Sequence, residues 1–379
     1  MANYGSGKSG AGRILFLGKR FYTNKDALAE RFGRVFHFPN EWSKSGRNVF
    51  LWLIDYHSKI PVNDSRGSLE VSSTPVLSLA MFKSFLAMVA SFRPRIVVAS
   101  GDCYIGLLAW VVARLTGASF VFDIYDKYDE FAGYRKPFGF DLFGFLIRRA
   151  RLSLFASRAL AERLSSLKPG GAIEVAPNGV DAQMFHPMDI RRCREALDLD
   201  PGLTLIGYFG GMEPDRGVAD LIQAVEILRD GGADIRLLIC GKAHPSTPLS
   251  HDWIIYRGMI THEQMPLYLN ASNVLVVPYR LSEFMDMGAS CKIAEYLMCA
   301  KPLVSTSTPN LTANFPMQAL ELGQALCRPE DAADLARAID YQLHHGALVS
   351  IPQHMRWEEI ATAAMRAIER STEDLPIGP

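Results

Sequence analysis

The residues best suited to chemistry in this 379-residue sequence lie in glycine-rich segments of its second half. In residues 207–217, a strand-like run ends at Gly210 and Gly211, and Arg216 stands just before a helical pattern. Glycines let backbone N–H groups approach a diphosphate, and a helix start adds partial positive charge. Arg216 can donate two parallel hydrogen bonds to phosphate oxygens. The segment predicts a diphosphate site; an ordinary strand–loop–helix turn is the alternative.

A second segment, residues 288–297, pairs a loop with a helix start. The loop residues are Gly288, Ala289 and Ser290. They suit an N-cap that leaves backbone N–H groups free for a ligand. Lys292 and Glu295, three residues apart, share one face of the helix. The lysine can meet a phosphate and the carboxylate can accept hydrogen bonds from ribose hydroxyls, although a surface ion pair would have the same spacing.

Three other patterns carry less information. The sequence GSGKS at residues 5–9 lacks the first glycine of a phosphate-binding loop and precedes the first strand, so we expect a flexible tail. Asp198 and Asp200 form a D-x-D pattern in a helix–linker segment, where we expect a solvated acidic turn. No G-x-G-x-x-G follows the first strand of either half, which argues against a nicotinamide cofactor. Residues 175–181, VAPNGVD, predict a turn.

Short apolar runs alternate with helical patterns throughout, which predicts parallel strands buried on both faces. In the first half the predicted strands are residues 14–18, 34–38, 48–55, 95–100, 119–124, 152–157 and 172–177, and the predicted helices 77–92, 104–115 and 158–167. In the second half the strands are 204–210, 234–241, 252–258, 273–279 and 302–307, and the helices 217–229, 261–270, 290–299, 332–343 and 356–370. Two doubly wound α/β domains joined near residues 178–202 follow from this pattern. Ligands should bind beyond the carboxyl ends of the strands.

Composition narrows the class of function. Hydrophobic residues make up 49% and charged residues 21%, as in a folded globular protein. With 40 basic and 40 acidic residues, no overall field favours nucleic acid or an anionic membrane. The six cysteines have no metal-binding spacing, which predicts buried thiols. The start is not that of a secretory signal and no apolar run approaches the ~20 residues of a membrane span, so we expect a soluble, cytoplasmic protein.

Together these segments resemble the family-4 retaining glycosyltransferases. Such enzymes have a P-N-G-V-D segment followed by F-x-P, a basic residue before glycine at a strand end, and a K-x-x-E-Y segment ending in K-P-V-V. The corresponding residues here are 177–181, Phe185 with Pro187, Arg216 with Gly217, and 290–304. Arg257-Gly258 and Pro278-Tyr279 are similar to two further turns of the family.

The resemblance implies a GT-B fold: two Rossmann-like domains facing across a cleft, with a C-terminal helix returning to the N-terminal domain. The expected boundaries are 1–180 for the acceptor domain, 181–355 for the donor domain and 356–379 for the returning helix.

The resemblance also assigns roles to residues of the donor domain. Arg216 and Lys292 would bind the diphosphate and act in catalysis, and Glu295 would bind the ribose. Backbone amides of residues 288–290 would meet the sugar or phosphate. Gly210 and Gly211 would line the same site, and Arg257 and Met259 would hold the base.

In the acceptor domain the resemblance is looser. Gly18 is similar to a glycine loop that closes over the donor. Many relatives have a histidine where this sequence has Tyr125, between Asp123 and Asp126. Tyr125 and Asp126 are therefore the candidate catalytic residues of this domain. The family's usual first glutamate falls at Met287.

The implied activity is that of a hexosyltransferase of polysaccharide biosynthesis, acting without metal or other cofactor and with retention of configuration. The acceptor would be a glycan or a lipid-linked saccharide. Residues 134–151 and 77–95 mix apolar and basic side chains, which suits a peripheral contact at the inner membrane face, although core helices with charged ends would look alike. Two other readings remain: a sugar-nucleotide epimerase or phosphorylase of the same fold, and a non-catalytic nucleotide-sugar-binding protein.

Overall fold

The computed structural model of the chain describes residues 12–22, 25–131, 133, 134, 136 and 139–372. These residues form two compact units. The first contains the described residues up to Gly179 together with those from Trp357 onward, and the second is Val180–Arg356. The GSGKS segment at residues 5–9 lies outside the described residues. So do residues 135, 137 and 138 of the 134–151 region, and residue 132 shortly before it.

Each unit is an α/β domain built on a mainly parallel sheet. The strands are β1 Ile14–Lys19, β2 Phe21–Tyr22, β3 Lys25–Asp26, β4 Val49–Asp55, β5 Val62–Arg66, β6 Leu69–Pro75, β7 Ile96–Ser100, β8 Ser119–Ile124, β9 Leu152–Phe155, β10 Ala172–Val175, β11 Thr204–Phe209, β12 Ile235–Cys240, β13 Ile254–Tyr256, β14 Val274–Val277, β15 Leu303–Thr306 and β16 Leu326–Cys327. The first sheet has the order β10-β9-β8-β7-β1-β4-β6-β5 and the second β13-β12-β11-β14-β15-β16. Most side chains of the central strands are buried, as their apolar runs predict.

Helices connect most of the strands. They are α1 Gly33–Lys44, α2 Leu79–Ala87, α3 Cys103–Thr116, α4 Leu142–Arg149, α5 Arg158–Ser165, α6 Ile190–Ala196, α7 Val218–Asp230, α8 Met265–Ala271, α9 Glu283–Asp286, α10 Cys291–Met298, α11 Pro309–Thr312, α12 Pro316–Leu322, α13 Ala332–His345 and α14 Trp357–Thr372. Of the described helices, none is long and apolar enough to cross a bilayer. All six cysteines are free, and five of them are buried, as expected from their scattered spacing.

One predicted strand is wrong. Residues 34–38, RVFHF, lie in α1 rather than in a strand. The run is short and rich in aromatic residues, which favours a strand when it is considered alone. Its buried apolar residues continue, however, at Val35, Phe38 and Trp42, which is the spacing of one helical face.

The edge of the first sheet also differs from the all-parallel expectation. β5 pairs antiparallel with β6, and β6 pairs parallel with β4. β5 alternates half-buried and exposed residues, and most of them are polar. Without an apolar run, the sequence gives no strong strand signal there.

The last helix packs on the first unit, as the GT-B resemblance implies. The ring of Trp357 stacks on His37 with centroids 4.7 Å apart. Trp42 of α1 donates a hydrogen bond from Nε1 to the carbonyl of Ala361, at 2.7 Å. A Cβ atom at Gly179 would lie 2.6 Å from the Trp357 ring, so a glycine lets the chain pass this indole.

Each sheet has one point where the strand order reverses. In the first sheet β1 has β7 on one side and β4 on the other, and in the second sheet β11 lies between β12 and β14. Ligands of open parallel sheets bind outside the carboxyl ends of the strands at such switch points. We therefore expect ligand-binding sites among the residues that follow β1, β7, β11 and β14.

Candidate functional site

Two glycines bring the ends of β11 and β12 into close contact at the second switch point. Gly210 has φ of +150° and Gly241 has φ of +135°, values that side chains rarely permit. A Cβ atom at Gly241 would lie 1.9 Å from the carbonyl oxygen of Gly210. At Gly210 it would lie 2.4 Å from Nζ of Lys292, so the amine of Lys292 rests directly against this strand end.

Arg216 occupies a 3₁₀ turn between β11 and α7. Gly217 follows it with φ of +68°, and a Cβ atom there would lie 1.7 Å from the carbonyl oxygen of Pro278. Because Gly217 has no side chain, the turn can contact the backbone at the end of β14. This contact places the Arg216 guanidinium 5.5 Å from the centre of the Tyr279 ring.

Lys292, in the first turn of α10, reaches the same aromatic residues. Its Nζ lies 4.1 Å from the centre of the Tyr208 ring and 5.3 Å from that of Tyr279. The hydroxyl of Tyr279 is 2.9 Å from Oγ of Ser290, the N-cap of α10. Two cations therefore share one tyrosine, and the rings hold them by cation–π attraction.

The Arg216 guanidinium keeps an unused donor. Its Nε is buried and has no hydrogen-bond partner among the residues that the structure describes. The neighbouring carboxylate of Glu213 lies 3.7 Å from this atom, beyond hydrogen-bond distance, and is 52% exposed. A buried donor without a partner is costly, so a phosphate oxygen at this point would stabilise it.

Burial and charge shift the pKa values of the cluster. Burial lowers the pKa of Lys292 below its usual value; Tyr279 opposes this effect and Arg216 adds to it. Burial raises the pKa of Tyr279, but Lys292 and Arg216 outweigh it and bring the pKa below its usual value. Two cations this close to each other favour an anion, which would stabilise both positive charges.

Glu295 lies on the same helix but is already bonded. Its carboxylate is 3.1 Å from Nε2 of His262, and both side chains are nearly buried. The ring of His262 in turn lies 5.2 Å from that of Phe185. His262 is a residue that the sequence did not single out, because only the fold brings it to Glu295.

The loop before α10 differs from the expectation of free amides. The amide of Gly288 donates to the carbonyl of Met285, at 3.1 Å, and that of Ser290 donates to Oδ1 of Asn310, also at 3.1 Å. Asn310 also donates from Nδ2 to Met285. The loop is held by its own chain, so the amides of Gly288 and Ser290 are not directed at a ligand in this structure; Ala289 lies half-buried between them.

Of the other predicted residues of the second unit, Gly211 lies at the same strand end and Arg257 and Met259 lie further along the sheet. Gly211 directly follows the strand end, and its carbonyl accepts a hydrogen bond from Tyr208, at 2.6 Å. Arg257 and Met259 follow β13, two strands away from β11 in the sheet order. Met259 is 62% exposed. The structure thus brings Gly210, Arg216 and Lys292 together and leaves Arg257 and Met259 at the far edge.

In the first unit, Gly18 does not form a loop. It lies within β1 and is buried. A Cβ atom there would lie 2.3 Å from Val35 of α1, so the glycine allows α1 to pack closely on the sheet. The expectation that Gly18 belongs to a glycine loop that closes over the donor stays a prediction.

Tyr125 is also buried, with 3% of its surface exposed. Its hydroxyl donates to the carbonyl of Gly101, at 3.1 Å, and its ring packs edge-on against Tyr22. Burial raises the pKa of this phenol well above its usual value. Tyr125 is therefore a packing residue in this structure, whereas Asp126 beside it is half-buried and accepts a hydrogen bond from the Lys127 amide.

Asp123 belongs to a buried ion pair. Arg34 donates to it from Nε at 2.9 Å and from Nη2 at 2.6 Å, and Ser100 donates from Oγ at 2.6 Å. Nη1 of Arg34 also donates to Oδ1 of Asn178, in the P-N-G-V-D segment, at 3.3 Å. Asp123 and Asn178 thus have structural partners within the first unit.

Glycosyltransferases are among the known proteins to which this chain is similar. Residues 204–345 match the model of the family described as Glycosyl transferases group 1. A lipopolysaccharide 1,2-N-acetylglucosaminetransferase from Salmonella typhimurium is 23% identical over 232 residues, which cover 55% of this chain and 58% of that protein. The chain spans about half the length of the curated relatives it matches.

Two solved structures resemble nearly the whole chain. A sucrose-phosphate synthase from Thermosynechococcus elongatus superposes with a TM-score of 0.74 at 17% identity, covering 95% of this chain and 98% of the other. The Anabaena protein HepE in complex with UDP-glucose has a TM-score of 0.67 at 15% identity, covering 95% and 100%. The chain therefore has the GT-B fold of glycosyltransferases, and its second unit contains the segment that matches the glycosyl transferases group 1 family.

Proposed function

We propose that this protein is a glycosyltransferase that takes its sugar from a nucleoside-diphosphate sugar. The observation that carries the proposal is the buried Nε of Arg216, which has no hydrogen-bond partner among the described residues and lies beside Lys292 at the glycine strand end of the second switch point. A diphosphate would accept hydrogen bonds from both cations. Glu295 and His262 would lie toward the ribose.

The reaction needs its leaving group stabilised. The bond between the anomeric carbon and the diphosphate oxygen breaks, a bond to an acceptor oxygen forms, and the acceptor proton passes to the departing phosphate. Arg216 and Lys292 would stabilise the negative charge that develops on that phosphate, which is the role that a metal has elsewhere. Attack on the face that the phosphate leaves would retain the configuration. Retention and metal independence are parts of the proposal.

The acceptor side of the proposal is a glycan or a lipid-linked saccharide of polysaccharide biosynthesis. The lipopolysaccharide transferase from Salmonella typhimurium supports this choice of acceptor by its name. The Anabaena complex with UDP-glucose makes uracil the first donor base to test.

Donor binding and transfer together test the proposed function. We expect UDP and a UDP-sugar to raise the melting temperature of the protein, because a ligand of the native state stabilises it with the logarithm of saturation. Mass spectrometry of the products with UDP-sugars and saccharide acceptors should then show a glycosylated acceptor and free UDP, with or without a chelator. An epimerised sugar, phosphate-dependent release, or binding with no reaction at all would favour the other readings instead.

The membrane contact is argued from α2 of the first unit. None of its residues is buried, which excludes a core helix, whereas five of the eight residues of α4 are buried. Leu79, Phe82 and Leu86 lie on one helical face and are 69%, 58% and 48% exposed. No acidic residue occurs between Glu70 and Asp102 in the sequence. An apolar face in a sequence segment whose charged residues are all basic fits the surface of an anionic bilayer.

Vesicle flotation checks this contact. We expect the protein to float with vesicles that contain phosphatidylglycerol and to float less with pure phosphatidylcholine. Changing Phe82 to serine should reduce flotation severalfold, because it removes apolar surface that the bilayer would bury. Leu320, 78% exposed in the second unit, is the matched control, and L320S should float like the wild type. Equal flotation of F82S and wild type would contradict the proposal.

A further inference from the structure

A second polar cluster lies at the switch point of the first sheet. Lys19 is the last residue of β1, Tyr56 directly follows β4, and Asp102 follows β7 by two residues. The carboxyl ends of β7, β1 and β4 are neighbours in the sheet. This is the location at which open parallel sheets bind ligands, and none of these three residues belongs to the candidate site described above.

The three side chains contact one another. Nζ of Lys19 lies 3.9 Å from Oδ2 of Asp102, and the Tyr56 hydroxyl donates to Oδ1 of Asp102, at 3.4 Å. The same Nζ lies 5.2 Å from the centre of the Tyr56 ring and 5.6 Å from that of Phe131. The cluster therefore combines an ammonium group, a carboxylate and two aromatic rings.

The backbone holds this cluster in place. Asp102 is the N-cap of α3 and accepts hydrogen bonds from the amides of Tyr104 and Ile105. Gly101 has φ of +153°, and a Cβ atom there would lie 2.9 Å from Cβ of Lys19. The ends of β1 and β7 thus touch, which fixes the distance between the lysine and the aspartate.

The cluster is nevertheless accessible. The side chain of Lys19 is 26% exposed, and Tyr56 is 36% exposed. Burial raises the pKa of the Tyr56 phenol and Asp102 raises it further, so the hydroxyl stays protonated and can donate. Lys19 and Tyr56 thus offer donors and a ring face at the surface, and the Asp102 side chain beside them is 11% exposed.

The charges of the cluster select the class of ligand. Lys19 and Asp102 carry opposite charges and balance, whereas Arg216 and Lys292 of the other unit are both cations. A balanced set has no preference for an anion, but its carboxylate accepts from hydroxyls and its ammonium donates to them. Exposed aromatic rings pack on the apolar faces of sugar rings. Neutral saccharides present both features.

We propose that Lys19, Tyr56 and Asp102 form the binding site for an uncharged saccharide, which is the acceptor. This inference rests on the proposed function, since it assigns the acceptor of that reaction.

Binding of UDP and of glycans to the full chain tests the two ideas separately. The probes are UDP by titration calorimetry and an array of neutral, sulfated and phosphorylated oligosaccharides. The variants are Asp102→Asn, which keeps a side chain able to cap α3, and Tyr56→Ala. The control is Asp340→Asn, at an exposed aspartate of α13.

We expect the wild type and D340N to bind neutral glycans. The affinity of D102N and Y56A for neutral glycans should fall at least about tenfold, which is the effect expected when a hydrogen bond to a charged group is lost. UDP affinity should stay within about twofold in all variants, because it depends on the second unit. Unchanged glycan binding in D102N, binding of anionic glycans alone, or no glycan binding by a wild type that binds UDP would overturn the inference. Loss of UDP binding in the wild type would instead contradict the proposed function.

Discussion

Replacement of Lys292 by methionine is expected to lower the turnover of sugar transfer by about 10²–10³-fold while the protein stays folded. The amine rests against Gly210, above the rings of Tyr208 and Tyr279. Its loss would remove one of the two charges that stabilise the departing phosphate. Steady-state kinetics with a UDP-sugar and an acceptor measure the effect.

The melting temperature of K292M distinguishes a loss of catalysis from a loss of folding. Burial lowers the pKa of Lys292, so the folded protein carries this charge less readily than the unfolded chain does. Below the folded pKa both states carry the charge and the folded state bears the full penalty; the penalty fades as the pH rises toward the unfolded pKa. Methionine removes the penalty, so we expect an unchanged or higher melting temperature at neutral pH. Near-normal turnover of K292M would contradict the assignment. The control is the same substitution at Lys44, K44M, because Lys44 lies in an exposed ion pair with Glu41.

Replacement of Arg34 by alanine is expected to lower the free energy of unfolding of the first unit by about 3–5 kcal/mol. Arg34 and Asp123 are 3% and 0% exposed, and the guanidinium makes two hydrogen bonds to the carboxylate. Without Arg34, Asp123 would keep the hydrogen bond from Ser100 but lose the cation that pairs with it. Urea unfolding followed by tryptophan fluorescence measures the change.

A second ion pair provides the comparison. Arg47 pairs with Glu369 on the surface, with side chains 27% and 44% exposed, so R47A should cost less than about 1 kcal/mol. Adding Asp123→Asn to R34A should recover part of the loss, because the buried group is then neutral. Equal costs for R34A and R47A would show that burial of the Arg34–Asp123 pair contributes little.

Most of the strand pattern could be predicted from the sequence because the central strands are buried on both faces. The run of β4 is apolar at six of its seven positions and that of β8 at four of six, and that property is local. Residues 34–38 carry the same local signal and form a helix, because the sheet buries Val35, Phe38 and Trp42 on one face. Only packing against the sheet distinguishes the two outcomes.

The residues of the candidate site also differ in whether local sequence or only the fold reveals them. Arg216, Lys292 and Glu295 lie in short segments whose glycines and spacing indicate their chemistry, and the structure brings the two cations to one tyrosine. His262 and Glu295 are 33 residues apart, so their contact depends on the fold. Gly18 lies within β1 and Tyr125 directly follows β8, but Val35 packs against the glycine and Tyr22 against the tyrosine.

The return of α14 to the first unit has a consequence for the order of synthesis. Trp42 donates to Ala361, and the indole of Trp357 covers His37, so the packing of α1 is complete only when the last helix has formed. The residues of the second unit are contiguous and leave the ribosome before that helix does. Since domains generally fold as units during translation, the second unit can finish folding while the first still exposes the side of α1 that α14 will cover.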